Sequence, residues 1–199
     1  MNAPKQIPEG KSWGVAILGV CFVGGGVLVL APEFLQPARP PAERNASAAL
    51  KTLRTAQLDF RNNDRDGNGR HDFWRGDIAG LVTIVPRGMP AEVQNSIKLI
   101  EPSVALADDR PLTDELAAFG RRGPKGGYLF LAIRHEGETE PSPDRFAACA
   151  FPAVYVKSGR WTFIVDERNE IYKRDLGRPG GIEVIPDEAT LQRKWSRVD

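Results

Sequence analysis

Residues 42–62 read A-E-R-N-A-S-A-A-L-K-T-L-R-T-A-Q-L-D-F-R-N, and this stretch decides the fold. Its apolar residues recur at spacings of three and four, which is the spacing along one face of an α-helix. This stripe consists of Ala46, Ala49, Leu53, Ala56 and Phe60. Because most of these side chains are small, the sequence predicts a helix from about residue 42 to residue 62 that lies close against a sheet.

Four short segments beyond residue 127 have the composition of β-strands. They read G-Y-L-F-L-A-I-R, R-F-A-A-C-A-F-P, W-T-F-I-V and E-I-Y-K-R, and are rich in aromatic and β-branched residues. Ser158-Gly159 suits one hairpin turn, and residues 167–169 suit another. Short connections of this kind predict an antiparallel meander, and the helix at 42–62 is available to cover its apolar side. We therefore predict an α+β fold.

The remainder of this domain is predicted to be less regular. Residues 79–85, A-G-L-V-T-I-V, form a short apolar segment, and residues 90–126 suggest helical turns only at Ala105–Ala107 and Asp114–Phe119. The C-terminal run P-D-E-A-T-L-Q-R-K-W-S-R, residues 186–197, predicts a last helix. This helix would start at Pro186 and Asp187, with Trp195 as its anchor.

The N-terminal region contains an uncharged apolar stretch, W-G-V-A-I-L-G-V-C-F-V-G-G-G-V-L-V-L-A, at residues 13–31. Its length is close to the ~20 residues with which a helix crosses a bilayer. A cleavable signal peptide is one alternative, but the stretch is longer than the apolar core of a typical signal peptide and L-V-L-A is a poor cleavage site. A buried core helix is the other, but it would be unusual at the extreme N-terminus without a polar face. The predicted organisation is a cytoplasmic tail at 1–12, a transmembrane helix at 13–31, a proline-rich linker at 32–41 and an extracytoplasmic domain at 42–199.

The charges and cysteines exclude several classes of protein. The chain has 27 lysines and arginines against 26 aspartates and glutamates. This balance argues against a nucleic-acid partner, because no basic field would attract the phosphate backbone. Cys21 and Cys149 lie far apart, and the first belongs to the apolar stretch, so no disulfide framework is predicted. Cys149 is interpreted as a small buried apolar residue.

Residues 62–74, N-N-D-R-D-G-N-G-R-H-D-F-W, begin like a calcium loop. Oxygen-bearing side chains at alternate positions, followed by glycine, match the D-x-[DN]-x-[DN]-G pattern. The candidate metal ligands are Asp64, Asp66, Asn68, Arg70 through its backbone carbonyl, Asp72 and Asp77. However, Arg75 occupies the twelfth position, where an EF-hand has glutamate. An Asx-rich turn with Gly67 and Gly69 at positive φ is the alternative, and the sequence leaves both interpretations open. Calcium is the only cofactor that this pattern suggests.

Signals for catalysis are weak. His71 and His135 have no metal-ligand spacing to another candidate residue. Cys149 with a distant histidine lacks the local signature of a thiol protease, and no P-loop or dinucleotide motif is present. We therefore predict no enzymatic activity and keep an envelope hydrolase as the third hypothesis.

Four stretches resemble type IV pilin and pseudopilin-like proteins of bacteria, including uncharacterised ones of planctomycete type. They are N-A-S-A-A-L-K-T-L-R-T-A-Q-L-D-F, D-R-D-G-N-G-R-H-D-F-W-R-G-D-I-A-G-L, G-Y-L-F-L-A-I-R and G-R-W-T-F-I-V-D-E-R-N-E-I-Y. The resemblance implies a membrane helix followed by a helix packed on an antiparallel meander. Because Gly10-Lys11-Ser12-Trp13 replaces the glycine–phenylalanine processing site of pilins, the resemblance implies their fold rather than their assembly into filaments.

The leading functional hypothesis follows from this resemblance and from the apolar stretch. It is a single-pass protein of a bacterial membrane, with a periplasmic domain that serves as a non-enzymatic structural or interaction subunit of an envelope complex. The expected partners are membrane lipid and other envelope proteins or copies of the same chain. The alternative hypothesis is a calcium-dependent extracytoplasmic binding module.

Overall fold

The structure is a computed structural model that describes residues 22–23, 26–27, 41–90 and 96–198, and it divides into two units, Met1–Ala38 and Arg39–Asp199. In the first unit, β1 (Phe22–Val23) and β2 (Gly26–Val27) form an antiparallel pair. These four residues fall within the predicted transmembrane helix, and the rest of that helix, like the predicted tail, lies outside the described residues. Across the described residues, no helix combines the length and the apolar character that crossing a bilayer requires.

The second unit begins with α1 (Pro41–Asn62), which confirms the predicted helix. Pro41 is its first residue, although the predicted linker ended there; the remainder of that linker lies outside the described residues. Proline suits the start of a helix because its missing N–H would have no intrahelical partner there. All five residues of the predicted stripe are buried, together with Leu50.

Five strands form one sheet in the order β3-β4-β5-β6-β7. Their bounds are Tyr128–Ala132, Ala147–Pro152, Trp161–Asp166, Ile171–Asp175 and Ser196–Val198. Every neighbouring pair is antiparallel, so the predicted meander is confirmed. The two predicted hairpin turns lie between β4 and β5 and between β5 and β6.

The C-terminal segment differs from the single helix predicted through residue 197. The helix α2 (Pro102–Ala105) precedes β3 in the chain, and the last helix, α3, covers only Glu188–Lys194. Asp187 caps α3 by accepting the Thr190 N–H at 2.8 Å. At Trp195 the backbone turns extended, with φ −119° and ψ 147°, and the indole is buried in a hydrophobic cluster. The chain then pairs with β6 as β7, because the edge of β6 offers main-chain partners that a longer helix would leave unused.

The strand β4 is buried on both faces of the sheet. Ala148 and Ala150 belong to the cluster that contains the stripe of α1, whereas Cys149 and Phe151 belong to the cluster that contains α3 and Trp195. Successive side chains of a strand point to opposite faces, which explains why F-A-A-C-A-F is apolar throughout. The sheet is therefore the middle layer between α1 and the C-terminal segment.

The chain between α1 and β3 is largely irregular, as predicted. The predicted helical turn at Asp114–Phe119 is confirmed as a 3₁₀ helix. The other predicted turn is displaced toward the N-terminus, to α2, because Pro102 provides a favourable first helical position. Ala79–Val82 form a further 3₁₀ helix, whose apolar side chains are buried.

The loop between β4 and β5 contains a strained and exposed valine. Val156 has a φ of 68° and is 63% exposed. A left-handed backbone is unfavourable for a β-branched residue. The loop holds this conformation through hydrogen bonds from the Val156 N–H to the Gly159 carbonyl at 2.8 Å and from the Ser158 N–H to the Val154 carbonyl at 2.9 Å. Asn169 has a similar φ of 71° in the next hairpin, where asparagine tolerates it.

Replacing Val156 with asparagine should raise the free energy of unfolding by about 1 kcal/mol, because it relieves this strain. Urea unfolding followed by circular dichroism measures the change. The reverse exchange, Asn169→Val, is the matched control and should lower stability by a similar amount. A less stable Val156→Asn variant would contradict the proposed strain.

Candidate functional site

The loop after α1, residues 63–74 and here called the polar loop, brings four of the six predicted metal ligands together. The carboxylate of Asp64 accepts the N–H groups of Asn68 at 3.1 Å and of Gly69 at 2.9 Å. The side-chain amide of Asn68 donates through Nδ2 to Asp66 at 2.8 Å and to Asp72 at 3.4 Å. The NH₂ group of Asn68 therefore lies between two carboxylates.

The backbone of this loop has the features of an Asx-rich turn. Asp64, Gly67 and Gly69 have φ values of 44°, 63° and 79°. The side-chain oxygen of Asn68 accepts the Arg70 N–H at 2.7 Å. No group of three or more carboxylate, histidine or cysteine side chains in the described part of the chain is arranged to hold a metal ion. The turn is thus complete by its own hydrogen bonds, and a bound calcium ion would require Asn68 to reorient its amide.

The remaining two predicted ligands, Arg70 and Asp77, have other roles. Arg70 is exposed and takes part through its backbone N–H. Asp77 caps the 3₁₀ helix Ala79–Val82, because its Oδ1 accepts the Gly80 N–H at 2.7 Å. Between the loop and Asp77, Arg75 and Gly76 form part of a different feature, a cleft at the edge of the sheet.

This cleft, here called the β3-edge cleft, has a volume of about 630 Å³. Ligand sites in proteins commonly measure roughly 300–1,000 Å³. It is lined by Arg75, Gly76, Asp109, Arg110, Pro111, Leu131, Ala132, Arg134, Thr139, Glu140, Pro141 and Glu183. The lining comes from Arg75 and Gly76, from residues 109–111 after α2, from the strand β3, from the loop between β3 and β4, and from Glu183 between β6 and α3.

A buried glutamine on α1 positions the wall that contains Arg75 and Gly76. Gln57 is 1% exposed and makes two hydrogen bonds to the backbone of Trp74, from Nε2 to the carbonyl at 3.1 Å and from the N–H to Oε1 at 3.0 Å. The Trp74 indole also donates to the Asp77 carbonyl at 2.9 Å. Gly80 packs so closely on this indole that a Cβ there would lie 2.2 Å from the ring, so glycine is required.

A buried carboxylate positions the opposite wall. Asp108 is fully buried and accepts the N–H groups of Ile78 at 2.6 Å and Ala79 at 2.9 Å through Oδ2. Its Oδ1 accepts the Arg110 N–H at 2.9 Å. Burial raises the pKa of Asp108 from 3.8 to about 6, although these three backbone donors oppose the shift. One carboxylate thus joins the start of the 3₁₀ helix to the wall formed by residues 109–111.

The charged side chains of the cleft fall into two groups. Some are already engaged: Arg110 donates to the Gly76 carbonyl at 3.1 Å, and Asp109 pairs with Arg122 at 3.3 Å. The others make no hydrogen bond or ion pair with any residue in the described part of the chain. This second group consists of Arg75, Arg134, Glu140 and Glu183. The cleft therefore contains both cations and anions that have no ion-pair partner among residues 41–90 and 96–198.

The register of β3 places main-chain groups in the cleft. The Ile133 N–H donates to the Ala147 carbonyl at 3.1 Å, so the odd-numbered residues of this strand bond to β4. In an antiparallel pair the main-chain bonds of successive residues point alternately to the two sides. The N–H and C=O of Ala132 therefore point away from β4, toward the outer edge that lines the cleft.

The positions on either side of Ala132 are occupied along this edge. Phe130 accepts the Asp109 N–H at 2.8 Å and donates to the Ala107 carbonyl at 2.9 Å. Arg134 bonds through its backbone to Glu183 at 3.0 Å and to Ile185 at 2.9 Å. Between them, the N–H and C=O of Ala132 have no hydrogen-bond partner among residues 41–90 and 96–198.

Cys149 and His135 do not have the environment of a nucleophile and its base. Cys149 is fully buried, and burial raises the pKa of its thiol to about 12, so the thiol stays protonated at neutral pH. Reactive cysteines have a lowered pKa and partial exposure. The His135 Nε2 lies 3.9 Å from the Glu167 carboxylate, which is too far for a hydrogen bond.

Comparison with known proteins identifies one matching family model, which is described as "Protein of unknown function (DUF2950)". It matches residues 142–189, which include β4, β5, β6 and the start of α3. No curated protein matches the chain, and no solved structure matches it. The matched segment is less than half of the chain.

The sequence analysis did not predict the β3-edge cleft. Its lining residues come from five separated segments, and neither the register of β3 nor the short parallel pairings at Phe130 and Arg134 is visible in the sequence. A usable signal in the sequence was Arg75, which follows the aspartate-rich run and marks a charged surface without locating it.

Replacing Asp108 with asparagine should lower the free energy of unfolding by about 1–3 kcal/mol at acidic pH. The NH₂ group of the asparagine would point at one or more of the three backbone N–H groups and leave them without an acceptor. The difference should also depend on pH. The pKa of Asp108 in the folded state lies above its value of 3.8 in the unfolded chain. Its contribution to stability is therefore complete in the protonated form and is lost as the pH rises through about 6.

Urea unfolding of both proteins between about pH 4 and about pH 7 measures this dependence. The stability of the wild type relative to the variant should decrease across that range. A constant or increasing difference would show that burial does not raise the pKa of this carboxyl.

Proposed function

We propose that this chain is a membrane-anchored, non-enzymatic interaction subunit of a bacterial envelope complex, with a pilin-like domain on the extracytoplasmic side. The observation that carries the proposal is the β3-edge cleft. Within the part of the chain that the structure describes, the main-chain groups of Ala132 and the charged side chains of Arg134 and Glu183 in this cleft have no partner. Such groups satisfy their hydrogen bonds when another chain or a polar ligand enters.

The anchoring part of the proposal rests on the sequence. Residues 13–31 carry no charge over a length close to the ~20 residues that span a bilayer. The pilin-like assignment is supported by one long helix that covers an antiparallel sheet, in addition to the resembling stretches.

The absence of catalytic function is likewise part of the proposal. The charged residues of the cleft are arginines and carboxylates, and the fully buried Cys149 lies in the apolar cluster on the α3 side of the sheet. A cleft of this composition suits recognition of a polar partner rather than attack on a substrate.

Photo-cross-linking in native membranes tests this function. A photoreactive amino acid at Thr139, an exposed residue of the cleft, should form an adduct with an identified envelope protein or with a second copy of the chain. The matched control is Thr52, on the exposed face of α1, which should form none. The protein should be recovered in the membrane fraction and should lose this location when residues 13–31 are deleted.

Two results would contradict the proposal. Recovery of the native protein in the aqueous fraction with residues 13–31 removed would exclude the anchor. Equal cross-linking at Thr139 and Thr52 would exclude the β3-edge cleft as the interaction surface.

A calcium-dependent binding module is the second proposal, favoured by the convergence of Asp66 and Asp72 on one point of the polar loop. A cation at that point would replace the NH₂ group of Asn68. Millimolar calcium should then raise the thermal unfolding midpoint of the full-length protein, and Asp66→Asn should abolish the rise. Magnesium, which prefers stricter geometry and retains its water, is the control ion. An unchanged midpoint in calcium removes this proposal and leaves the Asx-rich turn.

A further inference from the structure

The N–H and C=O of Ala132, which bond to no residue in the described part of the chain, limit the geometry of a ligand that pairs with them. A segment that pairs with the outer edge of β3 must lie beside this strand, where two segments of the chain already pair. Residues 107–109 pair at Phe130, and residues 183–185 pair at Arg134. In the described part of the chain, Ala132 is the one position between them whose main-chain groups have no partner. A long strand cannot run along this edge without displacing one of these segments. The space suits the end of an extended chain, which needs to pair with one residue only.

The charged side chains of the cleft indicate which end of a polypeptide ligand binds there. Arg134 is half-buried, and its guanidinium has no counter-charge among residues 41–90 and 96–198. A guanidinium without an ion-pair partner in the described part of the chain favours a ligand that supplies an anion. The two unpaired carboxylates of the cleft, Glu140 and Glu183, are exposed and remain solvated. The strongest requirement of the cleft is therefore for a carboxylate, which guanidinium groups bind with matching geometry.

On the basis of the proposed function, we propose that the β3-edge cleft binds the C-terminal carboxylate of an extended polypeptide. The N–H of the last residue donates to the Ala132 carbonyl. The terminal carboxylate accepts the Ala132 N–H and a hydrogen bond from the Arg134 guanidinium, with Arg75 adding positive charge at the rim. Capture of a chain end in this way combines strand addition with recognition of the terminal charge.

The carboxylates of the cleft also set a preference for the ligand residues that precede its C-terminus. Glu140 and Glu183 lie on the walls of the same cleft without ion-pair partners in the described part of the chain. They should favour a lysine or arginine next to the last residue, because opposite charges across a binding site select partners. A basic, carboxylate-terminated peptide is thus the class of ligand that this cleft fits.

The test measures peptide binding to the full-length protein kept in mild detergent. The probe is a fluorescein-labelled peptide, Gly-Ser-Ala-Lys-Ala with a free C-terminus, and fluorescence anisotropy reports its dissociation constant. The same peptide with a C-terminal amide should bind at least about tenfold more weakly, as should a peptide that is N-methylated at its last residue. These two changes lie on the ligand, so they do not depend on whether a protein variant folds.

Variants of the protein test the same contacts from the other side. Arg134→Gln should weaken binding at least about tenfold, and Ala132→Pro, which removes an N–H that bonds to no residue in the described sheet, should do the same. Arg44→Gln, an exposed arginine on α1 away from the cleft, is the matched control and should bind like the wild type. Thermal unfolding confirms that each variant is folded.

Three outcomes would overturn the inference: equal binding of the acid and amide peptides, no binding of the acid peptide, or competition by acetate as effective as that by unlabelled peptide. The last outcome would identify a general carboxylate site without recognition of a chain end. These failures can be distinguished from failure of the proposed function. If the peptide does not bind while Thr139 still cross-links to an envelope protein, the interaction role stands and the ligand class is wrong.

Discussion

Close packing of α1 on the sheet is the constraint on which the rest of the domain depends. Alanines on the buried face of α1 and on β4 belong to one hydrophobic cluster, and their small side chains let the helix backbone approach the strands. The opposite face of β4 is covered by the C-terminal segment, so the central part of the sheet is excluded from water on both sides. Burial of apolar area in these two clusters is the dominant stabilising contribution.

The position of α1 in turn determines the β3-edge cleft. Gln57 lies on its buried face and takes both main-chain bonds of Trp74, which sets the path of the chain into Arg75 and Gly76. Asp108 performs the same role for the opposite wall by gathering three backbone N–H groups. The cleft is therefore formed by irregular segments that are held by buried polar side chains. This makes its geometry sensitive to single substitutions far from any ligand.

Local pattern was enough to predict the elements that have a strong period or clear turn signals. The helix at 42–62, the strands β3 to β6 and their two hairpin turns lie close to where the sequence analysis placed them. The strand β7 was missed because its three residues carry no alternation, and only the unsatisfied edge of β6 makes them a strand. The polar loop was recognised from its sequence, but the calcium site and the Asx-rich turn are predicted from the same residues. The orientation of one amide group, that of Asn68, separates them.

By itself the sequence determined the fold class, the order of the main elements and the presence of an uncharged N-terminal stretch. Each of these depends on periodicity or composition within a few adjacent residues. The tertiary structure alone decided that β4 is covered on both faces and that Asp77 caps a helix. It also decided that the main chain of Ala132 bonds to no residue in the described part of the chain, although the positions on either side are paired. These properties depend on which distant segments meet. That information arises only when the chain packs, because hydrogen bonds and charges are satisfied by partners far away in the sequence.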